Sequence, residues 1–308
     1  MSRIHEALQK ARQQQLGNTP DLPNIEEIIA AKVGIPEPEK AGDIMSAAVP
    51  SGMLESTRAD RAPLLANCRR HNWPAQGRNL VFLADAEHPG GQEQFRTLRS
   101  RLYQLRRAGS LQVLVISSAV PGEGKSFVSA NLSHAFAMQS ERRVLVIDAD
   151  LRRAGGLSTF LGSPTSPGLS DYLLGQASAE EVIQTGSLEN LYLIPCGKRV
   201  SNPGELVGNA RFGRLIEQLR TVFDWIIIDT PPVVPIVDAR TIAELSDGVL
   251  LVVNASSTLA HLAKRAMQEF RRDSLLGVVL NRTAEPSASY YSAYGYGYGS
   301  EDQVAPAK

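Results

Sequence analysis

Short runs of apolar residues alternate with helical patterns from about residue 76 onward. The runs are continuous, without the polar alternation of a strand that has one face in water. Continuous apolar strands separated by amphipathic helices indicate a parallel sheet covered by helices on both faces. The predicted strands are 80–83, 113–117, 144–148, 191–194, 225–229, 249–253 and 278–280. Such sheets bind ligands at the carboxyl ends of their strands.

The first 75 residues follow a different pattern. Residues 2–15 place Ile4, Leu8 and Ala11 on one face of a short amphipathic helix, and a weaker helical pattern follows at 25–32. Prolines then interrupt a stretch of mixed polarity, which is typical of a mobile linker. We predict an N-terminal helix and linker over 1–75, an α/β domain over 76–286 and a flexible tail over 287–308.

Composition narrows the class of protein. With 308 residues and 43% apolar residues, the chain is long enough for one large domain with a sizeable core. Lysine plus arginine equal aspartate plus glutamate at 32 each, so bulk charge favours neither nucleic acid nor an anionic membrane. The two cysteines, Cys68 and Cys196, fit no metal-ligand spacing and favour a reducing compartment. The apolar runs are shorter than the roughly 18 residues of a membrane span. We therefore predict a cytoplasmic protein.

A glycine-containing loop joins the second predicted strand to a helical pattern. In Ser-Ala-Val-Pro-Gly-Glu-Gly-Lys-Ser, Gly122 and Gly124 permit a backbone nest whose N–H groups bind phosphate. Lys125 would reach the β- and γ-phosphates, and Ser126 would bind magnesium. The general pattern has a glycine where this chain has Ala119. The alternative is an ordinary glycine turn before a helix.

Aspartates end two of the apolar strands. The segment VLVIDAD ends with Asp148 and Asp150, and WIIID ends with Asp229. Carboxylates beside a phosphate loop can hold magnesium, and one can accept the proton of an incoming hydroxyl group. Each segment alone is also a common way to end a strand in solvent. The glycine-containing loop and these two segments, in order on one chain, favour a nucleotide site.

Five of the eight tyrosines lie in the last twenty residues, separated by glycine, serine or alanine. A tail with so few aliphatic residues cannot bury these rings in a core of its own. Phenol hydroxyls on a flexible tether are good phosphoryl acceptors. We therefore predict an enzyme joined to its own substrate, with acceptors at Tyr290, Tyr291, Tyr294, Tyr296 and Tyr298.

Over about residues 88–298, the chain resembles the bacterial tyrosine kinases, autokinases that accompany exopolysaccharide and capsule assembly. AVPGEGKS matches the family's Walker A loop, VLVIDADLR its Walker A′ motif, and IIIDTPP its Walker B motif. The tail matches its tyrosine cluster, and EQFRTLR its E-x-x-R-x-x-R helix. The resemblance implies the three-layer fold of P-loop NTPases, like that of the chromosome-partition and septum-site ATPases.

The resemblance also implies roles for single residues. It implies ATP contacts at Pro121, Gly122, Glu123, Gly124, Lys125, Ser126 and Phe127, with Asn281 at the adenine. It implies catalytic roles for Lys125, Asp148, Asp150 and Arg152, and Mg²⁺ held by Ser126, Asp148 and Asp229. Two alternatives stay open: Arg152 as a solvated side chain, and Asn281 as a cap on a strand end.

Glu93, Arg96 and Arg99 match the helix that this family uses for subunit contact in a ring-like homo-oligomer. Their spacing places them along one side of a helix, with a buried stripe of Phe95, Leu98 and Leu102. A solvated charged face is the alternative. In a ring, the tail of one subunit would enter the site of its neighbour. Phosphorylated tyrosines would repel one another and weaken that docking.

The resemblance implies further partners. They are a separate membrane polysaccharide co-polymerase, which activates the kinase and recruits it to the inner face of the membrane, and a phosphotyrosine phosphatase. We expect the helix at 2–15 to contact such a protein; a membrane surface and a frayed helix without a partner are the alternatives. We expect no nucleic-acid partner. Two alternatives to a kinase are a partition-type positioning ATPase and a non-catalytic scaffold. The partition ATPases usually have an extra lysine near the position of Val120, and intact Lys125 and Asp148 argue against a scaffold.

Overall fold

The central feature is a twisted, mostly parallel sheet, seen in a computed structural model that describes residues 63–66, 68–71, 73, 80–82, 89–153, 155–186 and 188–283. Within these residues it has eight strands, in the order β1-β4-β5-β3-β6-β2-β7-β8. Only the pair β4–β5 is antiparallel. The strands are β1 Arg69–Arg70, β2 Val113–Ser118, β3 Val144–Asp148, β4 Gln184–Thr185, β5 Leu191–Ile194, β6 Trp225–Asp229, β7 Gly248–Asn254 and β8 Leu275–Asn281.

Helices cover both faces of this sheet. They are α1 Pro63–Ala66, α2 Pro89–Ala108, α3 Lys125–Ala137, α4 Gly156–Leu161, α5 Leu169–Leu173, α6 Ala179–Val182, α7 Pro203–Val207, α8 Ala210–Arg220, α9 Asp238–Ala243 and α10 Ala260–Gln268. Val115 of β2 packs in a core cluster with α8 and α9, while its neighbour Leu114 packs with α2 and α3. Because successive side chains of a strand point to opposite faces, one apolar run supplies two cores. The predicted three-layer α/β fold is confirmed.

The apolar runs give the strand positions well. The predicted bounds of β3, β5 and β6 agree with the structure, and β2, β7 and β8 are longer than predicted. The two-residue strands β1 and β4 were not predicted. A strand of two residues produces no apolar run, so periodicity cannot reveal it.

The prediction of a strand at 80–83 is wrong for the described residues 80–82, which form an irregular segment with a turn. Leu80 is buried, but its neighbours rest on α3 instead of joining the sheet. The amide of Val81 donates to Asn131 Oδ1 at 2.8 Å, and Phe82 stacks on His134 with 5.3 Å between ring centroids. The side chain of a helix therefore takes the backbone hydrogen bond that a neighbouring strand would otherwise make.

Part of the folded domain lies before residue 76, where a linker was predicted. Strand β1 pairs with β4, and Trp73 is buried against the backbone of Gly186, where an added Cβ would lie 2.3 Å from the indole ring. The predicted helices at 2–15 and 25–32 and the tail at 287–308 lie outside the described residues. No described helix is long and apolar enough to cross a membrane.

The order of the strands brings the candidate residues together. Strand β6 lies between β2 and β3, and its last residue, Asp229, is in register with Ile116 on one side and Asp148 on the other. The carboxyl ends of these three parallel strands therefore meet at one edge of the sheet. Ligands of open α/β sheets bind in this position.

Candidate active site

The loop after β2 has the backbone of a phosphate-binding loop. Gly122 and Gly124 have φ angles of 87° and 95°, in the left-handed region that favours glycine. Gly124 directly precedes α3, which begins at Lys125. The loop amides and the positive end of the helix dipole therefore lie together, as anion binding requires.

Lys125 lies against the acidic edge of the site. Its Nζ is 3.1 Å from Asp150 Oδ2, and both side chains are about nine-tenths buried. Burial by itself lowers the pKa of a lysine, but the neighbouring carboxylates, with Asp229 first and Asp150 next, outweigh it and raise the pKa of Lys125. The lysine therefore stays charged at neutral pH, as a phosphate ligand must.

Asp229 receives two hydroxyl groups from α3. Ser126 Oγ donates to Asp229 Oδ2 at 2.6 Å. Ser129 Oγ lies 3.1 Å from Asp229 Oδ1 and 3.0 Å from the carbonyl oxygen of Lys125, so its single proton is shared between the two acceptors. Burial raises the pKa of Asp229, while Lys125 and the two hydroxyl groups oppose that effect.

Asp148 is the second fully buried aspartate at this edge of the sheet, beside Asp229. It is 0% exposed and accepts the amides of Leu157 at 3.2 Å and Asp150 at 3.4 Å. Burial, together with the charges of Asp229 and Asp150, raises its pKa to about 8. Three carboxyl groups therefore share one lysine in a medium of low polarity, and full ionisation of all three would leave an excess of negative charge.

This excess charge fits a divalent cation. Hydroxyl and carboxylate oxygens are the ligands that Mg²⁺ prefers, and Ser126, Asp148 and Asp229 supply both kinds. Within the described part of the chain, no three His, Cys, Asp or Glu side chains converge closely enough to hold a metal by themselves. The residues therefore suit an ion that takes its remaining ligands from water and phosphate oxygens.

Arg152 makes a bidentate ion pair. Its Nε and Nη2 donate to Asp238 at 2.8 and 3.0 Å, which joins the loop after β3 to the start of α9. Asp238 is 6% exposed. The pair lies beside α7, since a Cβ added to Gly204 would be 3.1 Å from Asp238 Oδ1. The role of Arg152 in stabilising transferred charge stays a prediction.

Asn281 lies at the end of β8 and contacts the phosphate loop. Its Nδ2 donates to the carbonyl oxygen of Glu123 at 2.8 Å, and its Oδ1 accepts the amide of Arg282. A Cβ on Gly124 would lie 2.1 Å from the same Nδ2, so only glycine allows this approach. The predicted contact of Asn281 with adenine stays a prediction.

The two remaining residues predicted to contact ATP, Pro121 and Phe127, differ in exposure. Pro121 is exposed at the surface of the loop, while Phe127 is half-buried, with its ring 5.9 Å from that of Phe95 and 6.3 Å from that of Phe160. Phe127 therefore fixes α3 against α2 and α4.

Sequence reasoning missed the partners that surround the loop. The side chain of Glu123 is buried and accepts hydrogen bonds from the amides of Val120 and Asn254 and from the hydroxyl group of Thr258. Ser129 and Asp238 were missed as well. Ser129 could have been found, because it follows Lys125 by one helical turn and therefore faces the same side of α3.

Helix α2 carries the predicted subunit-contact residues. Phe95 and Leu102 are buried and Leu98 is half-buried, as predicted. Arg96 pairs with Glu93 at 3.3 Å on the exposed face. Arg99 instead donates to the carbonyl oxygen of Ala135 at 2.6 Å, which anchors α2 to α3. The five tail tyrosines lie outside the described residues.

Comparison with known proteins identifies the family of the chain. A family model for the AAA domain matches residues 111–270, which is more than half of the 308-residue chain. The tyrosine-protein kinase CpsD of Streptococcus agalactiae is 37% identical over 188 residues, which cover 60% of this chain and 82% of that protein. The tyrosine-protein kinase YwqD of Bacillus subtilis is 31% identical, over 76% of this chain and 97% of that protein.

A longer relative and a solved structure extend the comparison. The succinoglycan biosynthesis transport protein ExoP of Rhizobium meliloti is 32% identical over 69% of this chain, but the match covers 28% of that protein. The kinase domain of the Escherichia coli tyrosine kinase ETK has a TM-score of 0.58 and 32% identity, covering 67% of this chain and 80% of that structure. The chain has a nucleotide-binding domain of the AAA type and belongs to the family of bacterial tyrosine-protein kinases, which makes it a protein-tyrosine kinase.

Proposed function

We propose that this kinase uses ATP and Mg²⁺ to phosphorylate the tyrosines of its own C-terminal tail. One observation carries the proposal: Lys125 and the carboxylates of Asp148, Asp150 and Asp229 meet beside a loop with phosphate-binding geometry. Five tyrosines follow this domain on a glycine- and serine-rich segment of the same chain. The acceptors are Tyr290, Tyr291, Tyr294, Tyr296 and Tyr298.

The phosphate loop binds the triphosphate in this proposal. The amides of Gly122 to Ser126 and the ammonium group of Lys125 hold the phosphate oxygens, which exchanges the contact of Lys125 with Asp150 for one with ATP. When bound, Mg²⁺ neutralises charge on the phosphates, held by the Ser126 hydroxyl group and by Asp148 and Asp229.

Exposure separates the roles of the two aspartates after β3. The Asp148 side chain has no exposed surface, whereas the Asp150 side chain is 9% exposed and faces Lys125, so Asp150 is the more accessible of the two to an incoming phenol. We assign Asp150 as the general base. The tyrosine oxygen forms a bond to the γ-phosphorus, the bond from that phosphorus to the ADP oxygen breaks, and the phenol proton goes to Asp150.

We propose a ring-like homo-oligomer in which Glu93, Arg96 and Arg99 of α2 contact a neighbour, and in which the tail of one subunit enters the next site. Glu93 and Arg96 are exposed, which supports this use of α2, while Arg99 would support it indirectly by fixing the helix. Each phosphate adds about −1.5 to −2 charges, so a phosphorylated tail should leave the acidic site and loosen the ring.

The relatives suggest the cellular role. CpsD and YwqD are named as tyrosine-protein kinases, and ExoP as a transport protein of succinoglycan biosynthesis. We propose that this kinase regulates the polymerisation or export of an exopolysaccharide or capsule. A membrane polysaccharide co-polymerase would activate it and recruit it to the inner face of the cell membrane, and a phosphotyrosine phosphatase would reset it.

The first experiment is intact-mass spectrometry of the purified full chain incubated with Mg²⁺ and ATP. Two variants accompany it: Lys125→Met, and a chain truncated after Pro286 that lacks the tail. We expect additions of phosphate mass on the full chain alone. Tryptic fragments of the modified chain should carry the phosphate on the tail tyrosines.

Two outcomes would contradict the proposal. Phosphate on the truncated chain would show that the tail is not the acceptor. ATP hydrolysis without any phosphate on the protein would favour a positioning ATPase instead. Mixing the Lys125→Met chain with the truncated chain tests transfer between subunits, since only the former has acceptors and only the latter has an intact site; phosphate on the Lys125→Met chain is the expected result.

A further inference from the structure

The side chain of Glu123 supports the phosphate loop from within the loop itself. Among the described residues, this buried carboxylate has no ion-pair partner. Glu123 lies between two glycines at a surface loop, yet it is 1% exposed. Its Oε2 accepts the amide of Val120 at 2.8 Å, within the loop itself. A buried charge is costly unless hydrogen bonds replace water, so this side chain needs its remaining partners.

Those partners come from the turn after β7, more than a hundred residues later. Glu123 Oε1 accepts the amide of Asn254 at 3.3 Å and the hydroxyl group of Thr258. Because the amide contact is long, Glu123 Oε1 depends on the hydroxyl group of Thr258 for its second hydrogen bond.

Hydrogen bonds also hold this turn after β7 in place. Asn254 Oδ1 accepts both the amide and the hydroxyl group of Ser256, and β7 pairs Asn254 with Asn281 of β8, which donates to the carbonyl oxygen of Glu123. Both the backbone and the side chain of Glu123 are therefore held by the ends of β7 and β8, on the side of the loop away from the aspartates.

We propose that the hydrogen bond from Thr258 to Glu123 is a clasp that sets the shape of the phosphate loop, and that Thr258 is a positioning residue for the nucleotide phosphates. The proposal rests on the ATP site proposed above, but not on transfer to tyrosine. Gly122 and Gly124 have no side chains to hold the loop, so its shape depends on contacts such as this one.

Loss of the clasp should weaken binding more than catalysis. Without the hydroxyl group, Glu123 Oε1 keeps only its long contact with Asn254, and the carboxylate gains by turning toward water. The loop amides touch the phosphates in the ground state and in the transition state alike. Their disorder therefore removes binding common to both states and raises KM with little change in kcat.

Three variants test the clasp in the full chain. Thr258→Val keeps the shape of the side chain and removes the hydroxyl group, Thr258→Ser keeps the hydroxyl group, and Ser257→Ala is a control at an exposed neighbour in the same turn. Affinities for ATP and ADP are measured by calorimetry. Hydrogen exchange of the nucleotide-free protein reports on the loop amides.

We expect Thr258→Val to raise the Kd of both nucleotides by about tenfold, the size of a lost hydrogen bond to a charged group. Exchange should become faster in residues 120–126, while Thr258→Ser and Ser257→Ala stay within about twofold of the natural chain. Unchanged affinity and exchange in Thr258→Val would overturn the proposal. An equal loss in Thr258→Ser, or faster exchange throughout β7 and α10, would overturn it too, because both indicate a general structural defect.

A double-mutant cycle sharpens the test. Glu123→Gln removes the charge, and its effect on Kd should be less than additive with that of Thr258→Val, because both variants weaken the contact between these two side chains. Fully additive effects would contradict the clasp. These binding measurements stand apart from the proposed autokinase activity: a chain that binds ATP through the clasp but never phosphorylates tyrosine would disprove only the autokinase.

Discussion

Asp148 and Asp247 lie at opposite edges of the same sheet and differ in how their charges are met. Asp247, at the amino edge, accepts the amides of Gln112 and Val113 at 2.8 and 2.7 Å and a bidentate contact from Arg220. Burial alone would raise its pKa, but these donors outweigh burial and lower it. Asp148 has two amides, two carboxylate neighbours and a share of one lysine, and its pKa rises to about 8.

The difference separates a structural carboxylate from a functional one. At the amino edge, hydrogen-bond donors balance the charge of Asp247. At the carboxyl edge, one lysine serves three carboxyl groups and cannot balance all of them. Groups with a strongly shifted pKa cluster at functional sites, as Asp148 does here. The contrast predicts that substitutions at the amino edge lower stability at neutral pH. Substitutions at the carboxyl edge should change activity and the pH dependence of stability.

The largest effect should come from Asp150→Asn, which keeps the size of the side chain and removes its basicity. We expect kcat for tyrosine phosphorylation to fall by about a thousandfold, within the range for loss of a general base. ATP affinity should change little, because Lys125 loses only its partner in the nucleotide-free state. Asp247→Asn, assayed on folded protein, is the matched control. An Asp150→Asn enzyme with more than half of the natural kcat would contradict the assignment.

The next effect concerns Asp148 and pH. The pKa of Asp148 is about 8 in the folded chain, and its ordinary value is 3.8. Between pH 3.8 and pH 8, the folded chain therefore keeps a proton on Asp148 that the unfolded chain has released. The free energy of unfolding should therefore decrease as pH rises through this window, by about 2 kcal/mol between pH 5 and pH 7. Asp148→Asn should lose this part of the slope. Urea unfolding of both nucleotide-free proteins measures it, and parallel pH profiles would contradict a raised pKa.

A smaller effect, of opposite sign, is expected at the amino edge. The pKa of Asp247 is lowered, so its contribution to stability is present at neutral pH and is lost as pH falls below about 4. Asp247→Asn should reduce the free energy of unfolding by about 1.5 kcal/mol at pH 7, because the contacts with Arg220 and two amides lose their charge. ATP affinity should stay unchanged. A weaker affinity would show that the two edges are coupled.

The sheet and the catalytic edge could be predicted because their signals are local. Continuous apolar runs give the main strands, and aspartates at the ends of parallel strands must meet when the strands are neighbours, as Asp148 and Asp229 do. The run at 80–82 has the same composition but rests on α3, because Asn131 takes its backbone amide. Composition alone cannot distinguish an apolar segment on a helix from one in a sheet.

The contacts that complete the site could not be predicted, because they join distant parts of the chain. Arg152 meets Asp238 across 86 positions, and Glu123 meets Thr258 across 135. Neither pair has a spacing that a helix or a strand would impose. The tertiary fold alone brings them together, so a single sequence without structure leaves Arg152 open between a catalytic and a solvated role.

The smallest expected effect tests which feature decides the role of a charged side chain: its ion-pair partner or its place at the carboxyl edge. Asp238 lies at the carboxyl edge, like Asp148, but is fully paired with Arg152, like Asp247 with Arg220. If Arg152 acts by holding the loop that carries Asp150, Arg152→Met and Asp238→Asn should each lower kcat by about threefold. The double variant should be no worse than either, because all three variants break the same ion pair between Arg152 and Asp238. A far larger loss in Arg152→Met than in Asp238→Asn would instead place the guanidinium group on the transferred phosphate, and location would then outweigh pairing.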